Sequence, residues 1–368
     1  MSNSLVELSK YGQSIWLDNI NRSMLNKGEL KNLVDEIGLK GVTSNPSIFQ
    51  KAISQGSDYD EQLKKLLMKN RNISAKDLYE AIAVKDIQDV ADVLLQVYEK
   101  TKGIDGYVSL EVSPDLAFET AATIEEARRL FKWVNRPNVM IKIPATQEGI
   151  PAITQAISEG INVNVTLIFS PKMYEEVVNA YISGLEKRVA KGAPIDRIAS
   201  VASFFISRID SLTDKLLEQK GNKELQGKAA IDNAKLVYQT SKGIFSSERF
   251  KKLAAKGAKK QRLLWASTST KNPAYLDVLY VEELIGADTV NTVPPATIKA
   301  YLDHGKPEQR IENSVDVSAS NMKKLKEAGI NFEEVTAQLL TEGVKLFADA
   351  FTDLLKGVEK KKEEYLSL

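Results

Sequence analysis

The sequence predicts a (β/α)8 barrel, and two observations support this prediction. Short β-prone runs alternate eight times with longer amphipathic segments along the 368 residues. No Gly-rich phosphate-binding loop follows the first run, as it would in the rival doubly wound sheet. The predicted strands cover residues 14–18, 41–45, 107–112, 139–143, 163–169, 198–204, 262–267 and 288–293. We expect residues 1–368 to form a single barrel domain.

Helical periodicity fills the segments between the predicted strands. After the first strand, Leu30, Leu33, Val34 and Ile37 follow the three-to-four spacing of one helix face. Further helices are expected at 82–97, 124–133, 150–159, 171–191 and 210–219. The longest segments leave room for additional helices: residues 50–104 hold at least two helical segments, and residues 206–257 hold a long one.

Residues from about 321 to 368 predict a C-terminal helical extension of the same domain. Its apolar stripe at helical spacing consists of Leu339, Leu340, Val344, Leu346, Phe347, Phe351, Leu354 and Leu355. Such a stripe is typical of a helix that packs on a hydrophobic core. We therefore expect this helix to pack against the barrel.

Composition argues against several classes of function. The formal net charge is +1, so no basic field for nucleic acid is present. Cysteine is absent and His304 is the only histidine, which disfavours thiol catalysis, a histidine triad and a metal-dependent aldolase. No signal-type or membrane-length apolar run occurs, so we expect a cytoplasmic protein without membrane contact. We also expect no metal and no cofactor, and a loop at residues 303–307.

Polar side chains occur near the ends of six consecutive predicted strands. Alternation along each strand turns these side chains inward, and active sites of such barrels lie at the strand C-termini. The six residues are Asp18, Asn45, Glu111, Lys142, Thr166 and Ser203. Barrel interiors are normally filled with branched aliphatic side chains. Six polar groups, including a lysine and two carboxylates, therefore indicate an active site.

Lys142 is the residue on which the chemical prediction depends. It is a lone cation in the apolar run 137–146, and fully buried lysines are rare unless they are paired or used. A desolvated amine is a nucleophile that can condense with a ketone to give an iminium, which allows the neighbouring C–C bond to break. The alternative is a solvated edge lysine.

The other inward residues fit such a reaction. Glu111 and Asp18 can move the protons, and Thr166 can position a water next to Glu111. The remaining two, Asn45 and Ser203, can bind the hydroxyl groups of a polyol substrate. Nearby carboxylates favour the charged form of an amine, so we expect Glu111 to act through a water and not by a direct ion pair.

A phosphate site is predicted next to these residues. Arg208 lies at the start of a predicted helix after strand six, and a helix N-terminus with an arginine can bind an anion. The segment 266–273 follows strand seven, is rich in hydroxyl groups and includes Lys271. Phosphate sites of barrels often lie at this end. The alternatives are a helix N-cap in this segment and a surface ion pair for Arg208.

These motifs resemble those of the transaldolase family. The segments that resemble it are WLD at 16–18, GVTSNPS at 41–47, SLEV at 109–112, VMIKIP at 139–144, NVTLIFS at 164–170 and SVASFFISR at 200–208. The resemblance extends from about Ser14 to Val293, and the chain length suggests the longer bacterial-type branch. It implies a Schiff-base transfer of a dihydroxyacetone unit in the pentose phosphate pathway. The implied donors are sedoheptulose 7-phosphate and fructose 6-phosphate, and the acceptors are glyceraldehyde 3-phosphate and erythrose 4-phosphate.

The resemblance also implies a role for each site residue. Lys142 aligns with the Schiff-base lysine, Glu111 and Thr166 with the residues around the catalytic water, and Asp18 with the acid/base. The aligned binding residues are Asn45 and Ser203 for the dihydroxyacetone unit, and Arg208 and Ser267 for phosphate.

At two positions near the phosphate site this chain differs from related proteins. Shorter members of the family carry a second phosphate arginine soon after the strand-seven serine; here Lys271 takes this place, with Ser269 as competitor. Phe205 lies where related aldolases carry a hydroxyl group, so it would keep water from an enzyme-bound enamine. Plain core packing is the alternative for Phe205.

Two other functions remain open at this point. One is a class I aldolase on the same barrel, which would release dihydroxyacetone. The other is a non-catalytic barrel that binds sugar phosphates. We expect phosphorylated sugars as ligands and a monomer or homodimer as the assembly.

Overall fold

Eight parallel strands close into a barrel in the computed structural model, which describes residues 3–54 and 56–367. The strands are β1 (Gln13–Asp18), β2 (Gly41–Thr43), β3 (Tyr107–Glu111), β4 (Val139–Pro144), β5 (Val163–Ile168), β6 (Ser200–Phe205), β7 (Arg262–Ala266) and β8 (Thr289–Val293). Each strand pairs with the next, and β1 closes the barrel on β8, with Gln13 opposite Thr289. The predicted (β/α)8 fold is confirmed.

The predicted strand ends differ from the observed ones by at most two residues. The largest consequence concerns Asn45, which was expected inside the second strand. β2 ends at Thr43, and Asn45 instead caps the following helix, with its Oδ1 accepting a hydrogen bond from the Ile48 amide at 3.0 Å. The sequence Asn45-Pro46 favours this arrangement, because Asn is a preferred N-cap and Pro suits the first helical position.

Helices surround the barrel. They are α1 (Ser4–Leu8), α2 (Arg22–Asn26), α3 (Glu29–Ile37), α4 (Pro46–Ser54), α5 (Asp60–Lys69), α6 (Ala75–Lys100), α7 (Thr120–Val134), α8 (Gly149–Glu159), α9 (Pro171–Ala190), α10 (Ser207–Gln219), α11 (Ala229–Phe245), α12 (Glu248–Ala254), α13 (Leu279–Glu283), α14 (Pro295–His304), α15 (Val315–Glu327) and α16 (Phe332–Leu366). Within the described residues, none of these helices has the length and apolarity needed to cross a membrane.

Residues 206–257 hold the expected long helix, α11, together with α10 and α12; Gly221, at φ +67°, follows the end of α10. Two other helix predictions need correction. His304 was placed in a loop but is the last residue of α14. The C-terminal extension begins at α15, ahead of residue 321, and Gly329, at φ +75°, separates α15 from α16 because glycine adopts this backbone region without steric cost.

The C-terminal helix α16 packs on the barrel as predicted. Asn331 caps its start by accepting hydrogen bonds from the Glu333 and Glu334 amides. Its buried face contacts β5 and the helices α4, α6 and α10. Most of the predicted stripe lies on this face, but Leu346 is 52% exposed and lies outside it.

β5 contains an irregularity that simple alternation did not predict. Leu167 adopts φ +61°, and the pairing of β5 with β6 shifts register between Val165 and Ile168. Its side chain contacts Gly343 of α16, so closely that a Cβ at position 343 would lie 2.9 Å from Leu167 Cδ2. A left-handed leucine costs about 1–3 kcal/mol, and here this conformation accompanies a close approach of α16.

The N-terminal end of the barrel is closed by Asp105. Its carboxylate accepts hydrogen bonds from Ser14 Oγ at 2.7 Å, Trp16 Nε1 at 3.1 Å and Arg262 Nη2 at 2.7 Å. Burial raises the pKa of Asp105, but the charge and hydrogen bond of Arg262 more than offset this, so the pKa lies below its usual value. These contacts join β1, β7 and the segment before β3, so the role of Asp105 is structural.

Candidate active site

A cavity of about 230 Å³ lies at the C-terminal ends of the strands, where active sites of such barrels are found. Ten of the eleven predicted site residues line it: Asp18, Asn45, Lys142, Thr166, Ser203, Phe205, Arg208, Ser267, Ser269 and Lys271. The eleventh, Glu111, contacts Lys142 from the neighbouring strand. The structure thus brings the whole predicted set together around one cavity.

Lys142 extends from β4 into the cavity and is only 5% exposed. Its Nζ donates a hydrogen bond to the Ser44 carbonyl oxygen at 3.3 Å and lies 3.6 Å from Glu111 Oε2. The ring centroid of Phe347, on α16, is 5.4 Å from the same Nζ. The amine is therefore surrounded by protein on several sides, as a nucleophilic lysine requires.

Lys142 and Glu111 form a direct ion pair that was not expected: Nζ and Oε2 lie 3.6 Å apart, beyond the usual length of a direct hydrogen bond. That Glu111 acts through a water stays a prediction. Glu111 Oε2 is buried and has no hydrogen-bond partner among the described residues.

Burial raises the pKa of Glu111 to about 7, and the positive charge of Lys142 offsets only part of this rise. The negative charge of Asp18 raises the pKa further. A carboxyl group with such a pKa can both give and accept a proton near neutral pH. This property suits a group that moves protons in two directions during one reaction cycle.

Asp18, at the end of β1, is the second carboxylate of the cavity. Burial raises its pKa, whereas Lys142, a hydrogen bond from Thr43 and Lys271 lower it in part. Thr43 Oγ1 lies 2.7 Å from Asp18 Oδ1 and 2.6 Å from Thr292 Oγ1. Neither threonine was among the predicted site residues, although alternation already turned Thr43 inward and the same rule applied to β8 would have found Thr292.

A chain of polar contacts crosses the barrel beneath Lys142. Ser203 Oγ donates a hydrogen bond to Asn164 Oδ1 at 2.7 Å, and Asn164 Nδ2 donates one to Ser109 Oγ at 3.0 Å. Thr166 Oγ1 is buried and has no hydrogen-bond partner in the described part of the chain. Asn164 thus orients Ser203, while Thr166 keeps its hydroxyl available.

Positive charge collects at the other end of the cavity. Arg208 is half-buried over the Phe205 ring, with 5.6 Å from Cζ to the ring centroid, and has no ion-pair partner among residues 3–54 and 56–367. Lys271 Nζ donates a hydrogen bond to Ser269 Oγ at 3.1 Å. Burial and the charge of Arg208 lower the pKa of Lys271, with Asp18 acting in the opposite sense. Two cations that form no ion pair within 4 Å in the described part of the chain are suited to binding an anion.

Hydrogen bonds fix the loop after β7 against α10, which provides Arg208. Ser267, at φ +57°, places its Oγ 2.8 Å from Ser207 Oγ. Farther along, Tyr275 donates to Asp214 at 2.7 Å and Tyr280 donates to Asp210 at 2.8 Å. The sequence gives no signal for these pairs, since each joins residues 60 or more positions apart.

Comparison with known proteins determines the family. The family model of transaldolase/fructose-6-phosphate aldolase matches residues 15–358. The chain belongs to this family. Relatives include the transaldolase of Trichodesmium erythraeum, 50% identical with 98% of each chain covered, and transaldolase 2 of Nostoc punctiforme, 48% identical with 98% of each covered. The transaldolase of Saccharopolyspora erythraea is 47% identical, with 99% of each covered.

These matches confirm the predicted family and, with it, the predicted function of a transaldolase. The matches extend well beyond the motifs quoted for the resemblance and include α16, up to residue 358. The roles assigned to individual residues remain predictions, and the geometry above supports a specific mechanism for them.

Proposed function

We propose that the protein transfers a dihydroxyacetone unit between sugar phosphates through a Schiff base on Lys142. The proposal depends above all on one observation: a buried lysine amine lies 3.6 Å from Glu111 in a cavity that Asp18 also lines. A nucleophilic amine with two proton-transfer groups beside it is what imine formation and C–C cleavage need.

The first stage forms the iminium. Neutral Lys142 attacks the ketose carbonyl carbon, a C–N bond forms, and the carbonyl π electrons move to the oxygen, which takes up a proton from solvent. The amine proton passes to Glu111, which returns it to the hydroxyl group, so that the hydroxyl leaves as water and the protonated imine forms. The pKa of Glu111, about 7, suits both transfers. The unpartnered hydroxyl of Thr166 is free to hold that water.

The second stage breaks and remakes a C–C bond. Asp18 removes the proton of the sugar hydroxyl next to the scissile bond, an aldose leaves, and the bonding electron pair enters the iminium to give an enamine. The enamine then attacks an incoming aldehyde, whose oxygen receives the proton from Asp18. Hydrolysis of the new iminium frees Lys142. We assign Asn45 and Ser203 to the hydroxyl groups of the dihydroxyacetone unit.

We assign the phosphate group of the substrates to the cationic end of the cavity. Arg208 and Ser267 line that end, together with Ser269 and Lys271 as candidates for the last ligand. We propose sedoheptulose 7-phosphate and fructose 6-phosphate as donors, and glyceraldehyde 3-phosphate and erythrose 4-phosphate as acceptors. We propose that the reaction belongs to the pentose phosphate pathway and takes place in the cytoplasm.

Borohydride trapping tests the mechanism. Reduction of the protein in the presence of fructose 6-phosphate is expected to leave a stable adduct on the peptide that contains Lys142, whereas borohydride alone should leave none. Peptide mass spectrometry reads out the adduct. Absence of any adduct would favour the non-catalytic sugar-phosphate barrel. Rapid release of free dihydroxyacetone without an aldehyde acceptor would favour the aldolase.

Arg208→Gln tests the phosphate site. Hydrogen bonds to charged groups contribute about 1.5–3 kcal/mol, so we expect the KM for fructose 6-phosphate to rise about 10- to 100-fold while kcat changes little. Steady-state kinetics measure both constants. Arg249→Gln is the matched control, because Arg249 forms its ion pair with Glu186 away from the cavity. A loss confined to kcat would contradict a role in phosphate binding.

A further inference from the structure

One aromatic residue of α16 belongs to the candidate active site. Phe347 is 7% exposed, and it lines the same cavity as Lys142 and Asp18. From its helical spacing, Phe347 was predicted to belong to the apolar stripe that packs against the barrel. The next residues of that stripe, Phe351 and Leu354, are also buried but do not line this cavity. Phe347 therefore differs from its neighbours in what its ring faces.

The position of Phe347 follows from how α16 docks. Gly343 lies one helical turn before Phe347, on the same face. Gly343 rests on Leu167, whose left-handed backbone at the end of β5 directs its side chain toward α16. A Cβ at position 343 would lie 2.9 Å from Leu167 Cδ2, so α16 and β5 are in close contact here. This contact lies one helical turn from the Phe347 ring.

The ring has two physical effects on chemistry at Lys142. Its centroid lies 5.4 Å from Nζ, within the range in which an aromatic face attracts a cation. The iminium is cationic and the carbinolamine that precedes it is not, so the ring favours the iminium. The ring is also apolar, and it occupies space next to the reacting nitrogen that water would otherwise fill.

A second aromatic ring contributes to the same enclosure. Phe205, on β6, also lines the cavity and packs against Phe169, with 5.5 Å between ring centroids. Phe205 comes from the barrel wall and Phe347 from the C-terminal helix, so the two rings approach the cavity from different elements.

We propose that Phe347 is a specificity-determining residue that directs the bound dihydroxyacetone unit to an aldehyde acceptor and away from release. The inference rests on the proposed Schiff-base function. Release without an acceptor requires water to deliver a proton to the enamine carbon, after which a second water hydrolyses the resulting iminium and frees dihydroxyacetone. By excluding water, the Phe347 ring slows the protonation, and the enamine persists until an aldehyde arrives.

The test compares two rates in the full-length protein. One is the release of dihydroxyacetone from fructose 6-phosphate alone, and the other is transfer to erythrose 4-phosphate. Phe347→Ala is expected to raise the ratio of release to transfer roughly fivefold or more. Phe245→Ala is the matched control, because Phe245 is 8% exposed, packs edge to face against Phe250 and lies outside the cavity. The control should leave the ratio unchanged.

A second variant covers the case in which Phe347→Ala fails to fold. Phe347→Leu fills most of the space but lacks the aromatic face, and it should raise the ratio by a smaller factor. An unchanged ratio in the folded variants would overturn the inference. Borohydride trapping on the unaltered protein separates this outcome from failure of the Schiff-base mechanism: an adduct on Lys142 with an unchanged ratio rejects only the role of Phe347.

Discussion

Lys142→Met is expected to lower the rate of dihydroxyacetone transfer by a factor of about 10⁴ or more. Methionine has a similar length and fills the same buried space, but it has no amine that could attack a carbonyl. The remaining residues of the cavity would still bind the sugar phosphate, so binding should survive while turnover is lost. A coupled assay of transfer measures turnover, and calorimetric titration with fructose 6-phosphate measures binding.

The chain offers a close control for this substitution. Lys235 is also buried, at 6% exposure, and pairs with Glu283 at 3.0 Å, but it lies outside the cavity. Lys235→Met removes a comparable buried ammonium and should keep transfer activity near that of the unaltered protein. Substantial activity in Lys142→Met, or an equal loss in both variants, would falsify the assignment of the nucleophile.

Glu111→Gln should have the second largest effect, a fall in kcat of about 10²–10⁴-fold. Glutamine keeps the shape of the side chain but cannot exchange protons with the amine or the leaving water. In the unaltered protein, kcat/KM should fall as the pH drops below about 7, since Glu111 then becomes protonated and can no longer accept a proton.

The pH profile distinguishes this role from a structural one. Glu111→Gln should lower activity, and it should also lose the decrease of kcat/KM below about pH 7, which is the acid limb of the profile. The control is Glu282→Gln, because Glu282 is about as buried as Glu111 but pairs with Arg310 at 3.0 Å, away from the cavity. Glu282→Gln should keep the limb even if it destabilises the fold. A Glu111→Gln profile with the same limb would show that another group titrates there.

Strand periodicity explains why so much of the site was predictable. Successive side chains of a strand face opposite sides, so Lys142, Thr166 and Ser203 could be placed inward from the sequence alone. Pairing of neighbouring strands then set Glu111 beside Lys142 in the observed register. Alternation does not give the distance between two atoms, so the ion pair of Lys142 and Glu111 at 3.6 Å was not expected.

Other features depend on long-range contacts that a local pattern does not contain. The left-handed backbone of Leu167 and the register shift of β5 against β6 leave no signal in the strand pattern. Phe347 was interpreted as packing because helical periodicity shows which face is buried but not what that face contacts. Both features lie at the same junction, where α16 meets the end of β5.

The pairing of β1 with β8 has a consequence for folding kinetics. Gln13 and Thr289 are 276 positions apart in the sequence, so their contact requires closure of most of the chain into one loop. The entropy lost in such a closure makes non-local pairing slow, and β1 contributes Asp18 to the cavity. Asp18 itself is also held by the short-range pairing of β1 with β2, opposite Thr43, so the slow long-range step concerns closure of the barrel and not the placement of this carboxylate.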